Sequence, residues 1–186
     1  MKIILASASP RRKDILSQVG MDFEIRVSNA DENNVHGTPS EVVKTLALRK
    51  ANAVLCKSGE FIVSADTVVS VDGLIMNKPE NDDDAKRMLT MLSGRAHDVF
   101  TGVCVKCPDS RIFSDVCKTK VFFRTLEEKE IDNYIKTGEP KDKAGAYGIQ
   151  GKGALFIEKI DGDYNNVVGL PVVTLYKLLK NAGVSF

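Results

Sequence analysis

The sequence has no large excess of charge of either sign. Its 26 lysines and arginines nearly balance its 25 aspartates and glutamates, which leaves a formal net charge of +1 at pH 7. Proteins dedicated to duplex DNA or RNA usually carry a broad basic excess, and no basic and aromatic stripe marks a surface for single strands. We therefore expect no nucleic-acid partner, and local clusters of charge are more informative than the total.

Long hydrophobic runs are also missing. No apolar stretch approaches the roughly 20 residues that span a membrane, so we expect no membrane partner. Met1 and Lys2 are followed by only a few apolar residues before the first arginines, which is not the pattern of a secretory leader. These two observations predict a cytoplasmic protein.

Cysteine and histidine are scarce. Without a leader, free thiols are the expected state of the 4 cysteines. Cys104 and Cys107 form a close pair, but a zinc site would need two further ligands, and only His36 and His97 are available. Both cysteines lie on or beside an alternating, strand-like segment, so we predict that they are packing thiols.

Internal repeats, low-complexity tracts and convincing linkers are absent as well. A chain of 186 residues, 43% hydrophobic and 27% charged, can bury a sizeable core without disulfides. This length suits one large domain or two small lobes.

What the sequence does contain is a strand, a serine-rich turn and a basic helix start in its first 20 residues. Residues 2–6 are predicted to form a short buried strand. Ser9 fits a helix N-cap, Pro10 the first helical position and Gly20 the residue just past the end. The predicted buried face of this helix carries Ile15, Leu16 and Val19.

The first turn of that helix is crowded with cations. Arg11, Arg12 and Lys13 lie where the helix dipole is already positive and disfavours them. An anion bound at the turn would interact with both the cations and the free backbone N–H groups. A solvated basic turn is the alternative, but the strand, the serines and the capped helix around it favour a phosphate site.

Two further residues are candidates for the same chemistry. Asp66 directly follows an apolar run over 61–65, and open α/β sheets bind ligands at strand ends; the alternative is an aspartate that only caps the turn. Thr38 and Glu41 form a capping box that predicts a helix to about Lys57. Lys50 shares the apolar stripe of this helix, so it either extends along the stripe to solvent or reaches a ligand cleft.

A glycine-rich segment covers residues 142–154. Its spacing matches neither the dinucleotide fingerprint nor the Walker loop, and its apolar content is too high for a simple linker. Its glycines allow close backbone approach or positive φ at positions 145, 148, 151 and 153.

These segments together resemble the Maf family of septum-formation-inhibitor-like nucleoside triphosphate pyrophosphatases. The matches run from end to end in the order of the family: residues 5–12, 48–51, 64–67, 78–79, 92–95, 139–140, 142–151 and 162–171. Residues 145–150 read Gly-Ala-Tyr-Gly-Ile-Gln and resemble the subgroup that acts on dTTP and UTP. The sister subgroup, associated with 7-methyl-GTP, carries a different segment there.

The resemblance implies an α/β fold in which a long, twisted, mixed sheet lies between two lobes with a central nucleotide cleft. All of it would belong to a single domain spanning 1–186. The resemblance further implies a divalent metal cation, with Mg²⁺ as the expected ion, and a homodimer.

The resemblance also implies a role for each matching residue. Asp66 matches the proton acceptor, or general base, and Glu32 matches an acidic position that helps Asp66 to hold the metal. Positions tied to selection of the base are Arg11, Thr67 and Gln150. Positions that face the phosphates are Ser7, Arg12, Lys50 and Lys78.

We therefore predict metal-assisted hydrolysis of dTTP and UTP to the monophosphate and pyrophosphate. Breaking the bond between the α- and β-phosphates needs charge neutralised on both sides of it, and water oriented by a carboxylate. Two alternatives remain open: a regulatory binding protein in cell division without catalysis, and a pyrophosphatase for modified nucleotides such as 7-methyl-GTP.

Overall fold

The computed structural model describes residues 1–185, and over that range the chain forms seven strands and six α-helices of a mixed α/β fold. The strands are β1 (Lys2–Leu5), β2 (Phe23–Ile25), β3 (Glu60–Val71), β4 (Leu74–Met76), β5 (Ala96–Lys106), β6 (Ile112–Phe123) and β7 (Ile157–Asp161). The helices are α1 (Pro10–Gln18), α2 (Pro39–Asn52), α3 (Asp82–Leu92), α4 (Glu128–Ile135), α5 (Tyr164–Val168) and α6 (Val172–Asn181). The predicted α/β class and mixed sheet are confirmed.

The strands belong to one sheet in the order β2-β1-β3-β5-β6-β7, with β4 paired to β3. β1 runs parallel to β2 and β3, whereas the β3–β4 and β6–β7 pairs are antiparallel. The chain divides into two compact units. The first unit comprises residues 1–67, 101–117 and the chain from Gly169 onward, and the second comprises 68–100 and 118–168.

The first unit begins as predicted. Ser9 is the N-cap of α1, Pro10 opens it, and Gly20 follows its end with φ +68°. Two predictions of burial are wrong. Val19 is 49% exposed, so the buried face is limited to Ile15 and Leu16. The alternation of Phe23, Ile25 and Val27 with polar residues predicts a half-buried strand, but Ile25 is exposed, because β2 is the last strand of the sheet order, where its side chains lie at an edge.

Helix α2 begins at the predicted capping box, in which Thr38 and Glu41 bond each other's backbone N–H groups. It ends at Asn52, not near Lys57 as predicted. The chain leaves the helix so that Val54 packs into the buried cluster that also contains Ala47 and Ile62. Burial of one side chain thus ends a helix whose sequence would permit another turn.

Asp66 lies inside β3 and not at its end, which corrects our prediction. The parallel partner β1 stops at Leu5, opposite Val63, while β3 continues and pairs with β4 from Val69 onward. The strand end near Asp66 is therefore that of β1. The Asp66 side chain therefore still lies next to the end of a parallel strand, because β1 has already ended at Leu5.

The second unit contains several of the predicted local motifs. The Asp72-Gly73 pair predicts a hairpin turn, and it forms the β3–β4 turn with φ values of 51° and 80°. Asn81 caps α3 by accepting from the Asp84 N–H. The spacing of Thr125 and Glu128 predicts a capping box there, but that prediction is wrong: Glu127 and Glu130 form the box instead. The Leu126 N–H donates to Ser93 Oγ, at 2.7 Å, and this contact holds the chain outside the helix.

The later segments differ more from the sequence. Three short 3₁₀ helices, Glu139–Asp142, Ala144–Ala146 and Lys152–Phe156, occupy the glycine-rich segment and its flanks. The sequence predicts a strand over residues 155–160, but Leu155 belongs to the last of these 3₁₀ helices and is 72% exposed, and β7 begins at Ile157. Helix α5 was not predicted.

The cysteines are free thiols, and Cys104 and Cys107 are buried, as expected of packing residues. Burial raises the pKa of the Cys104 thiol to about 11. None of the helices formed by residues 1–185 combines the length and apolar character needed to cross a bilayer.

A buried histidine gives the second unit a predictable response to acid. His97 Nε2 lies 2.8 Å from the Tyr147 hydroxyl, and Nδ1 has no hydrogen-bond partner among residues 1–185. Burial lowers the pKa of His97 from 6.5 to about 4, against a smaller opposing effect of Asp98. The unfolded chain therefore binds a proton more readily than the folded one, and this contribution to stability is complete above pH 6.5.

We expect the free energy of unfolding to fall by about 3 kcal/mol as the pH drops from about 6.5 to about 4 because of His97 alone. The measurement is urea unfolding at a series of pH values. His97→Gln should flatten this part of the profile. His36→Gln, at an exposed position, is the matched control and should retain the wild-type slope; equal slopes in both variants would contradict the prediction.

Candidate anion-binding site

The centre of the candidate site is the guanidinium of Arg12, in the first turn of α1. Its Nε donates to the Gly169 carbonyl at 2.8 Å, Nη1 to Ser7 Oγ at 3.1 Å and Nη2 to Thr67 Oγ1 at 3.3 Å. Burial lowers the pKa of Arg12, although arginine remains protonated in any case. The side chain is a fixed positive charge held from three parts of the first unit.

Local sequence explains this arrangement. Ser7 Oγ also accepts the Ser9 N–H at 3.2 Å, which shapes the turn between β1 and α1. Thr67 Oγ1 lies 2.9 Å from Thr101 Oγ1, so its hydroxyl is oriented from both sides. Gly169 adopts φ +121°, a conformation that L side chains rarely adopt, and this places its carbonyl on Arg12.

A second group of charges involves Lys50 of α2. Its ammonium lies 2.6 Å from Asp66 Oδ1 and 3.0 Å from Glu32 Oε2. The two carboxylate oxygens can therefore be no farther apart than the sum of these distances. The side chains of Asp66 and Lys50 are only 10% and 13% exposed, whereas that of Glu32 is 56% exposed. Asp66 and Lys50 thus form a largely buried pair with an accessible third charge.

The two groups influence each other. The charges of Asp66 and Glu32 oppose the lowering of the Arg12 pKa by burial, whereas the charge of Arg11 adds to it. The site therefore contains three cations, Arg11, Arg12 and Lys50, and two anions, Asp66 and Glu32. Such a site can bind a multiply charged anion and keep a carboxylate next to it.

The donors fit a divalent cation that is bound together with other oxygen ligands. In the described part of the chain, no group of three or more His, Cys, Asp and Glu side chains is placed to hold a metal alone. Glu32 and Asp66 do converge on one position, and the Lys50 ammonium gives that position a positive charge. Mg²⁺ is usually held by one or two carboxylates, with water and ligand oxygens completing its shell.

The first unit brings together most of the residues singled out from the sequence: Ser7, Arg11, Arg12, Glu32, Lys50, Asp66 and Thr67. Lys78 and Gln150 belong to the second unit, where both are exposed. Sequence reasoning missed two residues of the site, Thr101 and Gly169. Thr101 lies in a strand-like segment that gave no separate signal, and Gly169 entered the sequence analysis only as part of the family match over residues 162–171.

A fixed arginine at a helix start, electrostatically coupled to the largely buried Asp66 that pairs with Lys50, gives this α/β protein a site suited to a polyanion. The sequence comparisons identify its family. Residues 2–182 match the family described as "Maf-like protein", and the chain belongs to that family. The prediction of the family is confirmed.

Curated relatives share about half of the residues over nearly the whole chain. A dTTP/UTP pyrophosphatase of Dictyoglomus thermophilum is 50% identical, covering 99% of this chain and 97% of its own. One of Thermoanaerobacter sp. is 49% identical over 97% and 96%, and one of Bacillus thuringiensis subsp. konkukian is 47% identical over 98% and 96%.

Among solved structures, similarity is found with a nucleoside-triphosphatase / dITP/XTP pyrophosphatase from Mycobacterium abscessus. That match has a TM-score of 0.46 and 19% identity, covering 68% of this chain and 76% of the other. The Ham1 protein of Staphylococcus aureus has a TM-score of 0.47 at 15% identity, covering 66% and 72%.

Proposed function

We propose that this protein is a nucleoside triphosphate pyrophosphatase that hydrolyses dTTP and UTP to the monophosphate and pyrophosphate. The observation that carries the proposal is the placement of the Asp66 carboxylate, 2.6 Å from Lys50 and electrostatically coupled to Arg12. The family membership and the names of relatives near 50% identity support the same activity.

The triphosphate binds through fixed and mobile cations. Arg12 is preorganised by its three hydrogen bonds, so little side-chain entropy is lost when phosphate oxygens reach it. Free N–H groups at the start of α1 add to the attraction. Ser7 contributes from the same turn, and Lys50 and Lys78 are the other members of the proposed phosphate-binding set.

Asp66 is the general base. When phosphates arrive, they compete with Asp66 for the Lys50 ammonium and free one carboxylate oxygen to accept a proton from water. The water oxygen then bonds to the α-phosphorus, the bond from that phosphorus to the bridging oxygen breaks, and pyrophosphate leaves with the electron pair. The proton stays on Asp66 until it is released to solvent.

A divalent cation, with Mg²⁺ as the proposed ion, would be held by Glu32 and Asp66 together with phosphate oxygens. It would neutralise charge on the triphosphate and lower the pKa of bound water. Glu32 is the more accessible of the two carboxylates, so it is the one that can respond first to an incoming ion. The contribution of the chain is to keep both carboxylates near one position.

The test is a panel of nucleotides with product analysis. UTP, dTTP, CTP, GTP and 7-methyl-GTP are incubated with the protein and Mg²⁺, and products are separated by ion-exchange chromatography. We expect UMP and dTMP with one pyrophosphate each, and no turnover after chelation of the metal. Release of inorganic phosphate and a diphosphate would show that another bond is cleaved. Turnover of 7-methyl-GTP alone would contradict the proposed substrate.

We further propose that Gln150 reads the edge of the pyrimidine. Uracil and thymine present an N3–H donor beside carbonyl acceptors, and a side-chain amide can pair with both. Gln150→Glu removes the NH₂ donor and places a negative charge near a carbonyl oxygen. We expect kcat/KM for UTP and dTTP to fall roughly five- to 150-fold, which corresponds to about 1–3 kcal/mol.

The comparison that checks the role of Gln150 is kcat/KM for UTP, dTTP, CTP and GTP in both proteins. CTP presents an amino donor, so its hydrolysis should fall less or rise. An equal fall for all four nucleotides would mean that Gln150 supports its own segment. The freely rotating amide of Gln150 can pair with either uracil or cytosine. In this proposal Arg11 and Thr67, which share base selection, distinguish the two bases.

Three features remain predictions, two from the family resemblance and the third, the location, from the lack of a leader-like or membrane-length apolar run. They are the single domain spanning 1–186 with two lobes around a nucleotide cleft, the homodimer and the cytoplasmic location. None of them is needed for the chemistry proposed for Asp66 and Arg12.

A further inference from the structure

The segment that carries Gln150 is built around one carboxylate. We refer to residues 148–153 as the 148–153 turn; it and Glu139 both belong to the second unit. The Lys152 N–H donates to Glu139 Oε2 at 3.0 Å, and the Gly153 N–H donates to Oε1 at 3.2 Å. The carboxyl-terminal end of the turn is therefore tied to both oxygens of one side chain.

The amino-terminal end of the turn is tied to the same carboxylate through Tyr134. The Tyr134 hydroxyl donates to Glu139 Oε1 at 2.9 Å and accepts the Gly148 N–H at 3.2 Å. Just before the turn, Tyr147 is 5% exposed, and its hydroxyl lies 2.8 Å from His97 Nε2. Both ends of the turn are thus fixed by hydrogen bonds.

An independent steric observation identifies the same carboxylate. Gly151 has φ −114° and ψ −149°, outside the positive-φ region that favours glycine. A Cβ at this position would lie 2.3 Å from Glu139 Oε1 and 2.5 Å from Cδ. Any side chain at position 151 would therefore have to displace the Glu139 carboxylate, because the backbone lies directly against it.

Glu139 is well suited to accept these bonds. Burial raises the pKa of its carboxyl, but the donors Lys152 N–H, Tyr134 hydroxyl and Gly153 N–H, with the charge of Lys143, more than offset this, and the net pKa is lowered. The ionised group accepts hydrogen bonds only, at both oxygens. The Lys143 ammonium also donates to the Glu139 backbone carbonyl at 2.6 Å.

We propose that Glu139 is a positioning residue for nucleobase selection: it holds the 148–153 turn so that the backbone of Gln150 keeps one position, from which the exposed amide reaches the base. The inference rests on the proposed function. A freely moving amide pairs with uracil and cytosine alike, because its C=O and NH₂ can exchange places. A fixed turn does not stop that rotation, but it limits which atoms of the base the amide can reach and lowers the entropy lost on binding the matching base.

The test substitutes the carboxylate while keeping its shape. Glu139→Gln replaces one acceptor oxygen with an NH₂ donor, which must then face an N–H or O–H donor. We expect the ratio of kcat/KM for UTP to that for CTP to fall about tenfold, with most of the loss for UTP in KM and little in kcat. Gly151→Ala, which disturbs the same contact from the turn, should lower the ratio similarly.

The control is Glu158→Gln on β7, an exposed glutamate of the same unit, which should keep the wild-type ratio. Amide hydrogen exchange measured by mass spectrometry provides a second readout. Exchange at Lys152 and Gly153 should rise in Glu139→Gln and remain low in Glu158→Gln. Because exchange needs no substrate, Gly151→Ala can supply it even where Glu139→Gln folds poorly.

The outcomes separate this inference from the proposed function. If wild-type protein hydrolyses no nucleotide, the proposed function fails and the role in selection fails with it. If wild-type protein hydrolyses UTP and both variants keep its UTP-to-CTP ratio, only the role of Glu139 is overturned. An equal fall for all nucleotides would likewise overturn it, because that is the effect of general support for the fold.

Discussion

Asp66→Asn should lower the rate of UTP hydrolysis on the order of 10²- to 10⁴-fold, the usual cost of losing a positioned general base. The amide keeps the shape of the side chain and can still accept a hydrogen bond from Lys50. In the wild-type protein the Lys50 ammonium lies 2.6 Å from Asp66 Oδ1. The amide cannot accept a proton from water. Binding of UTP should survive, because removing a negative charge next to the triphosphate relieves repulsion.

Two further variants make the result specific to proton transfer. Glu32→Gln removes the other partner of Lys50, 3.0 Å away, and with it a proposed metal ligand, so it shows the cost of losing both while the Asp66 carboxylate remains. Asp14→Asn, at an exposed position of α1, controls for loss of one charge. The measurements are single-turnover rates and UTP affinity by calorimetry. Near-normal turnover in Asp66→Asn would mean that Asp66 only pairs with Lys50.

Local motifs were predictable from the sequence because each is decided within a few residues. The capping box of Thr38 and Glu41 and the turn at Asp72 and Gly73 formed as predicted. Element ends decided by distant contacts were not predictable. The start of α4 depends on the bond from the Leu126 N–H to Ser93, 33 residues away in sequence, and no window of sequence contains both.

The candidate site was likewise predictable only in part from local sequence. Sequence position alone left Asp66 and Lys50 each with a structural alternative, and the 2.6 Å contact between them favours a shared role. The contact from Arg12 to the Gly169 carbonyl joins residues 157 apart. Neither periodicity nor capping rules encode such a pair. The resemblance to the family did indicate most of the site, because it matches residues by motif regardless of their separation.

Arg12→Lys should lower kcat/KM for UTP on the order of 10²- to 10³-fold, although the charge is kept. The guanidinium donates through Nε, Nη1 and Nη2 to three separate acceptors, Gly169, Ser7 and Thr67. An ammonium on a flexible stem cannot reproduce that planar arrangement. Each lost hydrogen bond of a charged donor is worth about 1.5–3 kcal/mol, and the released cation must be ordered again when phosphate binds.

A matched substitution at Arg87 shows what the same chemical change costs outside the site. Arg87 donates through Nε and Nη2 to Asp84 on the exposed side of α3, where an ion pair contributes little because water screens it. Arg87→Lys should therefore keep kcat/KM within about twofold of wild type. The comparison requires steady-state kinetics with UTP and unfolding curves for both variants, since Arg12→Lys also removes bonds that join Ser7, Thr67 and Gly169. If Arg12→Lys retained wild-type kcat/KM while losing stability, Arg12 would serve the fold alone, and the polyanion would have to bind through Arg11 and Lys50.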